Sequence, residues 1–321
     1  MNIPQTRFTE HSREQMEARV VRYADLRPCY NAFIDTRSPG SEAKENFTII
    51  GPGVSENPEQ HVHITDPHGF NIGGARQPPG CVNSQHSHDT AEVFVVHSGQ
   101  WRFDLGEHGD DAQVHIGAGD VISIPTKIFR GFTNVGTDSG YLFAILGQDN
   151  PGKVLWAPDV FEMASEYGLV LLETGQLIDT VAGQSVPADA KPMPVTSPDQ
   201  VAAMQRVSAQ DAESFVWRNE EPDGTYATAI IDPSGPLDWP HGFSVCRLDI
   251  EKSANIDIMP PEKPEVVFVH RGDLVMTWEL DGQGRQESLT LKPGDTITVP
   301  IGLDRTFSSA TGCSAFIVYR D

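Results

Sequence analysis

From about Phe47 onward the chain reads as short runs of β-branched and aromatic residues broken by Gly, Pro and Asp. Runs of this kind at close spacing predict strands joined by turns. They fall at 47–50, 61–64, 70–72, 93–96, 101–105, 121–124 and 141–146. Many short strands at such spacing predict an all-β sandwich or barrel. Helical patterns are few and short. One is predicted at 10–21, a second at 158–167 with Pro158 near its start and Gly168 after its end, and a third at 198–206. Ser197 caps the third, with Gln200 at the capping-box position. The stretch 183–198, rich in Pro, Ala and Ser, reads as a linker.

A second β-rich half runs from about Phe215 to Tyr319, and it repeats the first. Pro67-His68-Gly69-Phe70 recurs as Pro240-His241-Gly242-Phe243. Glu92-Val93-Phe94-Val95-Val96-His97-Ser98-Gly99 recurs at the same offset as Glu265-Val266-Val267-Phe268-Val269-His270-Arg271-Gly272. Gly119-Asp120 through Pro125 recurs, shifted two residues further, as Gly294-Asp295 through Pro300. The expected organisation is an N-terminal helix and irregular arm (1–50), a first barrel (51–150), a helical and Pro-rich linker (151–210) and a second barrel (211–321).

Composition narrows the partners. The 321 residues, 38% hydrophobic and 21% charged, suit two globular domains with their own cores. With 23 basic against 45 acidic residues, the formal charge is −22. That argues against nucleic acid or an anionic membrane as partner, since both attract basic patches. No signal-peptide core or membrane-length apolar run is visible, and the four cysteines are scattered. The expectation is a cytoplasmic protein with reduced thiols, acting on a small molecule, with room for a homo-oligomer.

The chemistry concentrates in Gly80 to Gly99, GCVNSQHSHDTAEVFVVHSG. His86 and His88 are two apart, so on a strand both leave the same face. Glu92 lies four residues on, about 13 Å of extended chain. If it joins the histidines at one metal, the backbone must turn at Asp89 and Thr90. Two imidazoles and a carboxylate with positions left open suit Fe(II), and also Mn, Ni or Zn.

This stretch resembles the first motif of the cupin superfamily, with Gly80, His86, His88, Glu92 and Gly99 at its spacings. The next segment resembles the second motif through Gly119-Asp120, Pro125 and Asn134. Lys127 stands where that motif has glycine, and Arg130 where it has a third histidine ligand. With the repeat, the whole chain resembles a bicupin, over roughly 60–147 and 230–320. In the second half Met259 and Pro261 replace the two histidines, while Glu265 and Arg305 take the places of Glu92 and Arg130. That barrel is expected to hold no metal.

Two readings of the first barrel follow. In one, Glu92 and Arg130 form a buried ion pair, as Glu265 and Arg305 would. In the other, the resemblance to gentisate-type ring-cleaving dioxygenases, in which only the N-terminal barrel carries iron, implies that His86, His88 and Glu92 hold one divalent metal. Fe(II) is favoured there, and Arg130 sits at the rim to hold an anionic oxygen. Gln85, Phe94, Trp101 and Phe132, with Arg130, are candidates to line the pocket. Cys81 reads as a buried thiol, and His68, His241, His97 and His270, which repeat, as architectural. The expected function is a metal-dependent dioxygenase acting on a small anionic or aromatic compound. The alternatives are a metal-dependent isomerase or lyase of a sugar or organic acid, and a non-catalytic small-ligand-binding bicupin.

Overall fold

The computed structural model describes residues 11–221, 223–237, 239–280 and 284–321. They form two compact units: Arg27–Asn219 with Trp239–Gly242, and the described residues of 11–26, 220–237 and Phe243–Asp321. In each, two mainly antiparallel sheets face one another across an apolar interior, the jelly-roll arrangement of a cupin barrel.

In the Arg27–Asn219 unit, one sheet runs in the order Val216–Trp217, Val121–Ile124, Glu92–Ser98, Gly140–Gly147, Phe70–Gln77, Glu45–Ile50, Val62–Ile64. The other runs Val154–Trp156, Val82–His88, Arg130–Asn134, Gln100–Leu105, Ala112–Gly117. Strand alternation sends Trp101, Phe103 and Leu105 inward to meet Phe94, Val96, Ile122 and Leu142, and these make the core at one end. The expected strands are all present, several of them longer than their apolar runs, because ladder pairing continues through polar positions such as Asn71 and Ser98.

The second unit has the same strand order. Thr296–Val299, Glu265–Arg271, Cys313–Arg320, Phe243–Ile250 and Tyr226–Ile231 form one sheet, with Val20–Val21 added at its edge. Ala254–Ile258, Arg305–Ser309, Leu274–Glu279 and Gln286–Leu291 form the other. Its interior is filled by Leu248, Val267, Met276, Trp278, Phe307 and Ile317.

Three helical and linker expectations change. The helix placed at 10–21 is Arg13–Glu17, capped reciprocally by Ser12 and Gln15, and residue 10 lies outside the described residues. Val20 and Val21, β-branched and poor in helices, instead pair with Ile297 and Thr296. The helix at 198–206 ends at Ala202, because the following backbone is drawn away: Gln205 N–H donates to Lys127 O at 2.7 Å. The region 151–210 is not a free linker. Its helix Pro158–Glu166 and the hairpin Leu169–Leu171/Leu177–Asp179 pack with Trp156, Val160 and Ile34 in a second apolar cluster. Residues 45–50, expected in the arm, are a strand of the first barrel.

Candidate metal centre

His86 and His88 end the strand Val82–His88, the chain bends at Asp89 and Thr90, and Glu92 opens the next strand, Glu92–Ser98. That bend folds the extended spacing back on itself. His88 Nε2 lies 3.5 Å from Glu92 Oε1, and His86 Nε2 3.9 Å from Glu92 Oε2. Among the described residues, these three form the group whose ligand atoms gather within 4.8 Å of one another, and all three are buried.

The donors are in the right state for a cation. His86 Nδ1 donates to Ser84 O at 2.7 Å, which leaves Nε2 with its lone pair bare. Burial, reinforced at His86 by Arg130, lowers both imidazoles from their ordinary range, toward the neutral form that offers a lone pair. Burial works against the charge on Glu92, but His88 and Arg130 outweigh it and hold the carboxylate well below its usual range. Arg130 Nε and Nη2 both donate to Oε2, at 3.1 and 2.8 Å, and Nη1 donates to Ile128 O at 3.3 Å. The guanidinium therefore takes one carboxylate oxygen and leaves Oε1 on the side of His88. The ion pair and a metal site are compatible, because they use different oxygens.

A further layer fixes the histidine strand. Lys44 and Asp35, both fully buried, form an ion pair. Asp35 Oδ2 accepts from Ser84 N–H at 2.9 Å, and Lys44 Nζ donates to Asn83 Oδ1 at 3.1 Å. Trp156 pairs opposite His86, its ring centroid 5.4 Å from the imidazole. The Trp156 Nε1–H donates to Glu56 Oε1 at 2.6 Å, and Ile34 N–H donates to Oε2, also at 2.6 Å. Burial pushes the Glu56 carboxyl up to about 8, against the pull of those two donors.

The three ligand-type residues open on a cavity that reaches solvent. Its walls include Phe33, Phe94, Phe132 and Trp156, with Gly73, Ala75 and Ala144 opposite the histidines leaving the space. No lining residue is a lysine or arginine.

The structure gathers His86, His88 and Glu92 and places Phe94 and Phe132 on the cavity wall. It moves three other candidates away. Arg130 is fully buried behind Glu92 and is not at the rim. Gln85 lies on the opposite strand face from His86, and its Nε2 donates to Asp104 O and Gly106 O at 3.0 and 3.1 Å. Trp101 is fully buried against Phe132, with Nε1–H donating to Ser98 O. Cys81 is buried, its thiol pushed up to about 11 mainly by burial. His68 Nδ1 lies 2.7 Å from Asp66 O, His241 Nε2 lies 2.5 Å from Ser123 Oγ, and burial lowers His97 to about 4. Lys127 sits at φ +62°, the left-handed conformation that explains glycine at that place in the motif. Sequence reasoning did not single out Asn46, Lys44, Asp35, Glu56 or Trp156.

Residues 75–146 match the family model of the cupin domain. No curated protein matches the sequence significantly. Similar solved structures are oxalate decarboxylases. The one from Lactobacillus farciminis, in complex with formate, has a TM-score of 0.57 at 12% identity, over 94% of this chain and 86% of that one. An oxalate decarboxylase studied for its substrate binding mode has a TM-score of 0.58 at 12% identity, over 94% and 77%. The Bacillus subtilis enzyme, studied for its Mn(II) centres, has a TM-score of 0.55 at 11% identity, over 94% and 77%. At these identities the likeness is one of fold. Among the described residues no helix is long and apolar enough to cross a membrane.

Proposed function

The chain is a two-barrel cupin, and from that premise we propose a metal-dependent enzyme whose chemistry runs in the first barrel alone, on a small aromatic compound. The observation that carries the reading is the gathering of His86, His88 and the Glu92 carboxylate on an aromatic-walled cavity, with Arg130 held on one carboxylate oxygen. His86, His88 and Glu92 hold one divalent ion, Fe(II) or Mn(II). Bound there, the ion supplies Lewis-acid polarisation of a substrate oxygen and one-electron chemistry with O2.

The protein's own side chains do the rest. Arg130 cancels the charge of Glu92, so the site keeps the attraction of the ion for an enolate, phenolate or carboxylate oxygen. Ser84 O holds the His86 ring in one tautomer. Phe33, Phe94, Phe132 and Trp156 exclude water and present flat faces to a ring. The lack of a lining lysine or arginine favours a mostly apolar body over a compact dianion.

A lyase reading, in which the same ion acts without net oxidation, is supported by the fold likeness to oxalate decarboxylases, one of them with Mn(II) centres. An oxygen electrode separates the two. Turnover of an aromatic substrate that consumes O2 in the Fe(II)- or Mn(II)-loaded wild type, and ceases in His86→Ala with the fold intact, is the expected result. Full turnover without O2 establishes the lyase reading, and unchanged turnover in His86→Ala rules out both.

A further inference from the structure

We infer that Asn46 and Gln60 form a hydrogen-bonding subsite on the cavity wall that selects substrates bearing a hydroxyl on their apolar body. The inference rests on the proposed use of this cavity for an aromatic substrate. Asn46 is only 6% exposed and lines the cavity, yet its Nδ2 donor has no hydrogen-bond partner. Gln60 lines the same cavity, and its buried Oε1 is likewise unpartnered, while its Nε2 donates to Thr48 Oγ1 at 2.5 Å. The neighbouring cavity amides are engaged. Asn71 Nδ2 donates to Gln148 O at 2.7 Å and Asn71 Oδ1 accepts from Gly53 N–H, while Asn83 Oδ1 accepts from Lys44.

A buried amide without a partner is destabilising unless a ligand or solvent answers it. The second barrel supplies the control. Asn46 and Thr48 pair opposite Ala75 and Gly73. Through the repeat those two correspond to Leu248 and Cys246, opposite which stand Ala227 and Ala229. Ala227 is exposed, a place where an amide would be hydrated at little cost. Asn46 and Thr48 thus occur where there is a cavity to face, and the residues opposite Leu248 and Cys246 in the second barrel are alanines.

The two free atoms define the ligand. Asn46 offers a donor and Gln60 an acceptor. A carboxylate answers only the first and an ammonium only the second. A hydroxyl answers either, and two neighbouring hydroxyls answer both. The Gln60 amide has Nε2 on the Thr48 hydroxyl, which leaves Oε1 as the atom without a partner. Strand Glu45–Ile50 lies three strands along the sheet from Glu92, roughly 14 Å at the usual strand spacing and less across the curved barrel. A ring-sized body therefore lies between the metal-binding oxygen and the hydroxyl.

Titration calorimetry on Mn(II)-loaded protein tests this, using benzohydroxamic acid and its 3-hydroxy, 4-hydroxy and 3,4-dihydroxy derivatives as probes. The wild type is expected to bind at least one hydroxylated probe about tenfold more tightly than the parent. Asn46→Ala should bring that ratio to within about twofold, and Gln60→Met should reduce it in part. Equal affinities in the wild type, a preference that survives Asn46→Ala, or no binding of any probe overturns the inference. The metal reading is judged separately. His86→Ala should weaken every probe alike if a metal anchors the hydroxamate, whereas the Asn46 subsite is read from the ratio between probes.

Discussion

The two barrels share their strand order, a buried glutamate and a buried arginine, and differ in what surrounds that pair. In the first, Glu92 faces two histidines and a cavity whose wall includes Gly73, Ala75 and Ala144. In the second, Glu265 and Arg305 remain paired, Met259 is 84% exposed in place of a ligand, and Cys246, Leu248 and Ile317 occupy the positions of the three small residues. The electrostatics diverge accordingly. Burial raises the carboxyl of Glu265 despite Arg305, whereas His88 and Arg130 overcome burial at Glu92. A Glu–Arg pair is thus common structural stock of the fold in this chain. Donors and empty space are what distinguish a site from a core.

The largest expected effect comes from breaking the shared pair. Arg305→Met, which strands a buried carboxylate, should lower the unfolding free energy by about 3–5 kcal/mol in chemical denaturation. Arg130→Met should cost a similar amount in metal-free protein, and that cost should shrink when Mn(II) is added, because a cation then faces Glu92. Arg305→Met should not respond. Equal behaviour of the two variants with Mn(II) would mean that the first barrel is no more a metal site than the second.

Filling the cavity comes next. Ala144→Ile places in the first barrel the residue that Ile317 provides in the second, since each pairs with the corresponding position, Gly73 or Cys246. Turnover should drop about 100-fold through lost positioning while metal content stays that of the wild type. Full activity in this variant would place the substrate elsewhere.

A smaller effect is expected from Glu56, behind the cavity wall. Its carboxyl is raised to about 8 when folded, so the folded chain holds this proton more tightly than the unfolded chain. Its contribution is fully present below the unfolded carboxyl range and is lost as the pH rises through about 8. In thermal unfolding, the wild type should therefore lose stability relative to Glu56→Gln as the pH rises across that range. A constant gap would show that Glu56 is charged throughout.

The grouping of His86, His88 and Glu92 was legible in the sequence because strand periodicity puts His86 and His88 on one face, and because the second copy shows what the motif looks like without them. The same periodicity puts Gln85 on the opposite face, where the structure has it. Trp101 follows the inward pattern but lies in the filled end of the barrel, a depth that alternation does not encode. The side on which Arg130 meets Glu92 is a matter of which oxygen it takes, and no spacing carries that. Asn46 and Trp156 escaped notice for another reason. They come from segments read as arm and linker, and only tertiary packing brings those segments to the site. Glu56 sits in a loop with no periodic signal at all.

The central claim is that the first barrel alone binds a metal through His86, His88 and Glu92. Elemental analysis of protein purified without chelator tests it most directly, on wild type and on His86→Ala. The account predicts about one divalent ion per chain in the wild type, Fe or Mn, and essentially none in the variant. A wild type that holds no metal even after anaerobic incubation with Fe(II) and Mn(II), or a variant that holds as much as the wild type, would contradict it.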